Sequence, residues 1–153
     1  MGGRNGLAFS AFDLLLRRAR RRRGAFHRRC RDGAASAGDN DIAHGLGAEE
    51  VAEDFKKFAH RIHEALPETG ILYLSIKPSL ARWDKWPVMD RANRLIEEST
   101  RTDDRLEFVD MTGTSLGPDG KPRPEFLQKD GLHLNEKGYQ AWTAVLAPRL
   151  GAP

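Results

Sequence analysis

Residues 71–76, Ile-Leu-Tyr-Leu-Ser-Ile, form a short and nearly continuous apolar run bounded by Gly70 and Pro78. Such a run is shorter than an ordinary helix and is typical of a strand that is buried on both faces of a parallel sheet. Parallel strands need long crossovers between them, and these crossovers are usually helical. We therefore expect helices before and after this segment.

Helical and strand patterns alternate on both sides of this run. From Ala48 to Leu66, apolar residues recur at steps of three and four behind an acidic first turn, which predicts an amphipathic helix. Pro87 to Ser99 predicts a second helix, Leu106 to Asp110 another strand, and Asn135 to Leu150 a last helix. This alternation predicts an α/β fold with a parallel sheet and right-handed crossovers.

The composition suits one globular domain. Of 153 residues, 39% are hydrophobic and 31% charged, and no apolar run approaches the roughly 20 residues that span a bilayer. The single cysteine, Cys30, cannot form an internal disulfide and has no nearby ligand set, so we expect no metal. Positive charge follows the first apolar residues instead of preceding them, which does not fit a signal peptide, and a cytoplasmic location is the default. The oligomeric state stays open.

The net charge of +3 conceals a strong asymmetry. Nine arginines and no acidic residue lie between Arg17 and Arg31, so the rest of the chain is net acidic. One interpretation is a basic arm for nucleic acid or an anionic surface, which would make the chain a non-catalytic binding protein. The other, which we favour, is a truncated or out-of-frame N-terminus, because the segment has no hydrophobic period that would bury a face.

The first 37 residues do not fit the pattern of a parallel sheet. Gly33 to Ala37, GAASA, stands where a strand rich in valine and isoleucine is expected, and its strand propensity is low. We expect residues 1–37 to be poorly ordered or loosely helical, and residues 38–153 to form the domain.

Two short motifs carry candidate catalytic chemistry. They are residues 38–41, GDND, and residues 130–133, DGLH, and the second is followed by Leu134, Asn135, Gly138 and Tyr139. Acyl transfer needs a base near a hydroxyl, an anion that fixes the tautomer of the base, and donors for the oxyanion. Asp and His three residues apart in a loop can lie on one side of a turn. An amide side chain at the carboxyl end of a parallel strand lies where open α/β sheets bind ligands.

In order and separation these motifs resemble two blocks of the SGNH (GDSL-type) hydrolase superfamily, over residues 38–150. The resemblance implies a flavodoxin-like, three-layer fold with helices on both faces of the sheet, whose N-terminal strands are missing here. It implies that Asn40 is an oxyanion-hole donor, His133 the general base and Asp130 the residue that orients it. The implied activity is that of an esterase, lipase or carbohydrate deacetylase acting on a small ester or acylated sugar, without a metal or organic cofactor.

The serine nucleophile of that superfamily is not recognisable. Its block is a Gly-Asp-Ser-Leu-like turn after the first strand. Ser10 lies in LAFSAFD with no Gly-Asp before it, and Ser36 is too close to Gly38 to lie on a separate strand. We therefore expect ester hydrolysis by this chain to be weak or absent.

A substrate pocket is expected after the strand at residues 71–76. The segment 77–89, KPSLARWDKWPVM, leaves the carboxyl end of that strand, which makes Trp83 and Trp86 candidates for lining the pocket. Gly38 and Asp41 of the first motif are further candidates. Packing of the two tryptophans over the sheet edge is an equal alternative.

Three histidines and one tryptophan have simpler interpretations. His60 and His63 lie three apart on a predicted helix without a third metal ligand, so we interpret them as surface residues. His44 follows the first motif, where loop packing is favoured over a place in the pocket. Trp142 falls on the apolar side of the last helix and is interpreted as a core residue.

Overall fold

A parallel sheet of three strands forms the centre of the fold. In the computed structural model, which describes residues 33–35 and 37–149, the strands are β1 (Gly33–Ala35), β2 (Ile71–Leu74) and β3 (Leu106–Val109). They lie in the order β1-β2-β3, and both neighbouring pairs are parallel. The α/β class predicted from the alternating pattern is confirmed.

Helices connect the strands, as the sequence pattern predicts. The helices of the described residues are α1 (Asp39–Ala43), α2 (Ala48–Ala65), α3 (Trp86–Thr100), α4 (Thr112–Ser115) and α5 (Glu136–Leu146). The three predicted helices correspond to α2, α3 and α5, and the first two agree within one residue at each end. The last one ends at Leu146, where the sequence pattern had extended it to Leu150. Single 3₁₀ turns lie at Trp83–Lys85 and Pro124–Phe126.

The two faces of the sheet are buried by different helices. Ile71 and Tyr73 of β2 pack in one cluster with side chains of α2 and α3, whereas Leu72 and Leu74 pack in another with Trp142 of α5. This alternation is the period of two that a pleated strand imposes. The result is three layers, helix on sheet on helix. Trp142, which was predicted to be a core residue, is partly buried and packs against the second of these clusters.

The strand β1 corrects one expectation from the sequence. Gly33–Ala35 pairs with β2, with Gly33 opposite Ile71 and Ala35 opposite Tyr73, although GAASA had been judged a poor strand. The pairing uses backbone N–H and C=O groups, which glycine and alanine supply as well as valine does. Strand propensity has little influence where the backbone of a well-packed neighbouring strand is available for pairing. The sheet therefore begins before the domain boundary that we had expected at Gly38.

Part of the sequence lies outside the described residues. This part includes the arginine-rich segment Arg17 to Arg31, so the expectation of a poorly ordered segment before Gly33 stays a prediction. Within the described part of the chain, no helix is long and apolar enough to cross a membrane.

Candidate active site

The second motif forms a tight turn ahead of α5. Residues Leu127 and Leu134 form an antiparallel bridge, and Gln128 N–H donates to the carbonyl of His133 over 2.7 Å. Gly131, at the tip of the turn, has φ +67°, a left-handed conformation that glycine adopts without a steric penalty. The turn therefore holds Asp130 and His133 on a closed loop whose ends are hydrogen-bonded.

Asp130 and His133, the residues predicted to be the acid and base, lie within hydrogen-bond distance of each other. His133 Nδ1 lies 2.6 Å from Asp130 Oδ2, and Asp130 Oδ1 accepts the backbone N–H groups of Leu132 and His133 at 2.9 and 3.0 Å. The hydrogen bond from His133, followed by the two backbone hydrogen bonds, lowers the pKa of Asp130 to about 2. The carboxylate therefore stays ionised and keeps the Nδ1–H tautomer, which leaves the lone pair on Nε2 available to act as a base.

The residues after His133 anchor this turn to α5. Asn135 is the N-cap of the helix, and its side-chain oxygen accepts the N–H of Gly138 over 3.1 Å. The Asn135 amide also donates to the carbonyls of Glu125 and Leu127. At Gly138 a Cβ atom would lie 2.5 Å from the carbonyl oxygen of Phe126, so only glycine fits. These motif residues are thus structural, and they set where His133 lies.

The first motif lies between β1 and α1, at the carboxyl end of the sheet. Gly38 has φ +109°, and a Cβ atom there would lie 2.8 Å from both Ile76 Cδ1 and Val51 Cγ1. Glycine is therefore required on two independent grounds, its backbone conformation and its close packing. Asp39, Asn40 and Asp41 follow as the first turn of α1.

One segment after β2 contacts both motifs. Lys77 Nζ donates to the carbonyl of Leu132 over 2.5 Å, and Ala81 N–H donates to the carbonyl of Gly131 over 3.1 Å. Arg82 forms an ion pair with Asp39, and its Nη2 donates to Asn40 Oδ1 over 2.9 Å. The GDND and DGLH motifs thus both contact the segment 77–82, which follows the carboxyl end of β2.

Arg82 and Lys77 are site residues that the sequence pattern did not single out. Burial lowers the pKa of Lys77, and the nearby Asp130 carboxylate partly opposes that shift. The available signal was their position just past the carboxyl end of a buried strand, a position that they share with every other residue of the loop.

The other candidate residues have local partners. His44 Nδ1 lies 2.6 Å from the backbone oxygen of Asn40, whereas Asp41 accepts backbone N–H groups through its carbonyl. His60 is exposed and lies 3.6 Å from Glu64. The side chain of His63 is only 8% exposed, and its Nε2 lies 3.0 Å from the carbonyl oxygen of Thr69, so its surface interpretation is wrong. Within the described residues no group of three potential ligands could hold a metal.

The two tryptophans of the segment after β2 stack on each other. The ring centroids of Trp83 and Trp86 are 6.1 Å apart, and the rings are inclined by 9°. Trp86 also packs against the core cluster on the α2 and α3 face. Both tryptophans are partly exposed, and a substrate role for them stays a prediction.

A serine partner for His133 is not found among residues 37–149. Ser75, Ser79 and Ser115 are buried, and Ser75 Oγ accepts the N–H of Met111. Ser99 donates to the carbonyl of Ile96. The other two serines of the chain, Ser10 and Ser36, lie outside the described residues. An open groove of about 620 Å³ between α2 and α3 contains none of the motif residues.

Several solved structures are similar to this chain in fold. A Streptococcus pneumonia protein named for platelet activating factor is 24% identical, with a TM-score of 0.71 over 78% of this chain and 59% of that one. A carbohydrate esterase of family 3 from Talaromyces cellulolyticus is 19% identical, with a TM-score of 0.65 over 78% and 56%. A GDSL-like lipase from Bacteroides thetaiotaomicron is 18% identical, with a TM-score of 0.58 over 77% and 60%.

These likenesses concern the fold, and the chain spans less than two thirds of each of these proteins. No curated protein sequence matches the chain closely enough to count as a relative. The model of the GDSL-like lipase/acylhydrolase family matches residues 34–141, which include Ala34 and Ala35 of β1 and both motifs. Since this match covers more than half of the sequence, the chain belongs to the GDSL-like lipase/acylhydrolase family.

Proposed function

We propose that this chain carries the base and the oxyanion-stabilising part of a serine-type ester hydrolase. The observation that supports the proposal most is the Asp130–His133 pair, in which both carboxylate oxygens are engaged and Nε2 of the imidazole is left unoccupied by any described residue. The side chains of Asp130 and His133 are 45% and 65% exposed, so a substrate can reach them. Asn40 lies in the first turn of α1, and both Asn40 and the turn that holds His133 contact residues of the segment 77–82.

The proposed reaction is acyl transfer by general-base catalysis. His133 Nε2 removes the proton of a hydroxyl group while the hydroxyl oxygen bonds to the ester carbon, and the carbonyl electron pair moves to oxygen. Asn40 Nδ2 donates a hydrogen bond to that oxyanion. The bond to the leaving alcohol then breaks, and His133 returns the proton to its oxygen. A serine hydroxyl gives an acyl-enzyme that water hydrolyses in the same way.

The proposal includes a low rate for the chain as it stands. No described serine contacts His133, and the missing nucleophile must come from outside residues 37–149 or be replaced by water. Loss of a triad nucleophile costs about 10⁶-fold in turnover and leaves about 10³- to 10⁴-fold over the uncatalysed reaction. Water activated by His133 is therefore expected to give slow hydrolysis.

The proposed substrates are small esters or acylated sugars. The stacked pair of Trp83 and Trp86 beside Arg82 offers an apolar surface of the kind that packs against an acyl group or a sugar ring. A carbohydrate esterase shares the fold, which agrees with this substrate class. Esterase, lipase and carbohydrate deacetylase activities all stay within the proposal.

The test is hydrolysis of p-nitrophenyl acetate by the whole chain. We expect a rate slightly above buffer that falls in His133→Ala, because that variant loses the base that activates water. His60→Ala is the matched control, because His60 is an exposed histidine on α2 that pairs with Glu64 and belongs to neither motif, and it should leave the rate unchanged. Equal rates for the wild type and His133→Ala would refute the assignment of the base. Stoichiometric labelling by a fluorophosphonate would refute the absence of a nucleophile.

A further inference from the structure

We propose that Arg82 is a positioning residue that fixes the orientation of the Asn40 amide, so that Asn40 Nδ2 is presented to the oxyanion. The proposal rests on the oxyanion-hole role given to Asn40 under the proposed function. In this proposal Arg82, which lies 42 residues after Asn40 in the sequence and pairs with Asp39, joins Asn40 and the Asp130–His133 pair as part of the site.

The orientation follows from hydrogen-bond chemistry. A guanidinium group carries donors and no acceptor, so the atom of Asn40 that faces Arg82 Nη2 at 2.9 Å must be the carbonyl oxygen. The two polar atoms of an amide lie on opposite sides of the carbon that joins them. With Oδ1 turned to Arg82, Nδ2 is turned away from it and is left to donate.

The charge of Arg82 also strengthens the donor. A hydrogen bond from a charged donor is stronger than a neutral one, and it draws electron density towards the amide oxygen. Polarisation along a chain of hydrogen bonds makes the N–H groups at the far end better donors. Arg82 can thus act on the oxyanion through Asn40 without touching the substrate.

Asp39 keeps Arg82 in this position. Arg82 Nη1 pairs with Asp39 Oδ1, and both atoms are shielded from solvent. One guanidinium group therefore spans two adjacent residues of the first motif, with Nη1 on Asp39 and Nη2 on Asn40. The planar guanidinium group suits this bridge, whereas a lysine ammonium would act as a point charge and lacks the fixed geometry.

A simpler role for Arg82 would be long-range attraction of anions by its positive charge. The two roles differ for Asp39→Asn. That variant removes a negative charge from the site, so a role through charge alone predicts tighter binding of an anion. A positioning role predicts weaker binding at Asn40, because Arg82 loses the partner that holds it.

The experiment follows the Asn40 side-chain NH₂ signals by NMR in the full-length chain labelled with ¹⁵N-asparagine. Sodium acetate, which presents a carboxylate oxygen to the oxyanion site, is titrated at constant ionic strength kept with sodium chloride. The signals are assigned by their loss in Asn40→Ala. We expect a saturable shift in the wild type, and an affinity at least about tenfold lower in Arg82→Met and in Asp39→Asn. Arg82→Lys should recover only part of it.

Glu49→Gln is the matched control. Glu49 pairs with the exposed Arg91 on the outer surface, so the variant removes the same charge from another ion pair of the protein. It should leave the Asn40 signals and the acetate affinity unchanged.

Three results would overturn the proposal: a wild type whose Asn40 signals do not respond to acetate, an unchanged affinity in Arg82→Met, or tighter binding in Asp39→Asn. Backbone spectra report whether each variant is folded, and Arg82→Lys and Asp39→Asn decide the question if Arg82→Met is unfolded. The proposed function is judged separately, by the dependence of hydrolysis on His133. A chain without hydrolysis but with the expected NMR changes would refute that function and leave the role of Arg82 intact.

Discussion

Asn93 of α3 provides the most direct test of how the site is supported. Its side chain is buried and bonds both backbone groups of Ile76: Oδ1 accepts the Ile76 N–H over 2.8 Å, and Nδ2 donates to the Ile76 carbonyl over 2.9 Å. Ile76 follows β2, lies against Gly38 and precedes the segment 77–82 that joins the two motifs. We predict that Asn93→Ala destabilises the whole fold.

The magnitude follows from what the substitution leaves behind. Ile76 is only 2% exposed, so water cannot replace the two lost partners without opening the core. Each buried polar group left unsatisfied costs about 1–3 kcal/mol, so the two groups together give a loss of about 2–6 kcal/mol in the free energy of unfolding. With an m-value of about 2 kcal/mol/M in urea, the unfolding midpoint should fall by about 1–3 M.

The assay is equilibrium urea unfolding followed by circular dichroism. Arg94→Ala is the control: Arg94 is the next residue on the same helix, its side chain is exposed and paired with Asp90, and its loss should change stability by less than about 0.5 kcal/mol. A change below about 1 kcal/mol for Asn93→Ala at an unchanged m-value would refute the reasoning, since it would mean that Ile76 finds other partners.

Three further predictions concern single residues. Gly38→Ala should lower the free energy of unfolding in urea by about 1–3 kcal/mol more than Gly45→Ala does. Both glycines have a positive φ, but only at Gly38 do other side chains occupy the place of a Cβ atom, so equal losses would contradict this packing. The ¹³C signal of the Asp130 carboxyl should titrate near pH 2. In His133→Ala the pKa of Asp130 should rise towards 3.8, because the hydrogen bond from His133 is the largest cause of the lowered value. A midpoint near 3.8 in the wild type would show that Asp130 and His133 are not hydrogen-bonded. Burial raises the pKa of Tyr73 above its ordinary 10.0, and Asp41 adds to this, so the phenol stays neutral in the folded state while it ionises in the unfolded state. Stability should therefore fall above pH 10 by up to about 1.4 kcal/mol per pH unit, and urea unfolding of Tyr73→Phe should lack this part of the slope.

Local patterns in the sequence predicted the elements that bury a regular face. The steps of three and four between Ala48 and Leu66 predicted α2, and the apolar run at residues 71–76 predicted β2, because side-chain period reports directly which face is buried. Ser75 and Ile76 fall outside β2 but stay buried, and Ser75 N–H bonds to Val109 of β3, so the predicted strand was too long only at its end.

The short elements between them could not be predicted. Residues 39–43 and 112–115 form helices of a single turn, which have too few residues for a period to appear. β1 carries small residues that give no strand signal, and it becomes a strand because β2 offers a paired edge. Tertiary context decided these elements.

Local patterns were enough to predict the fold class and the two motifs with their carboxylate, imidazole and amide groups, since those depend on residue type and local order. The contact between Asp130 and His133 was also predictable, because it spans only three residues. No local pattern predicted that Arg82 contacts both Asp39 and Asn40, or that Lys77 contacts Leu132. These contacts join residues that are 42 to 55 positions apart in sequence, so they depend on how the sheet and its loops pack and not on local residue order.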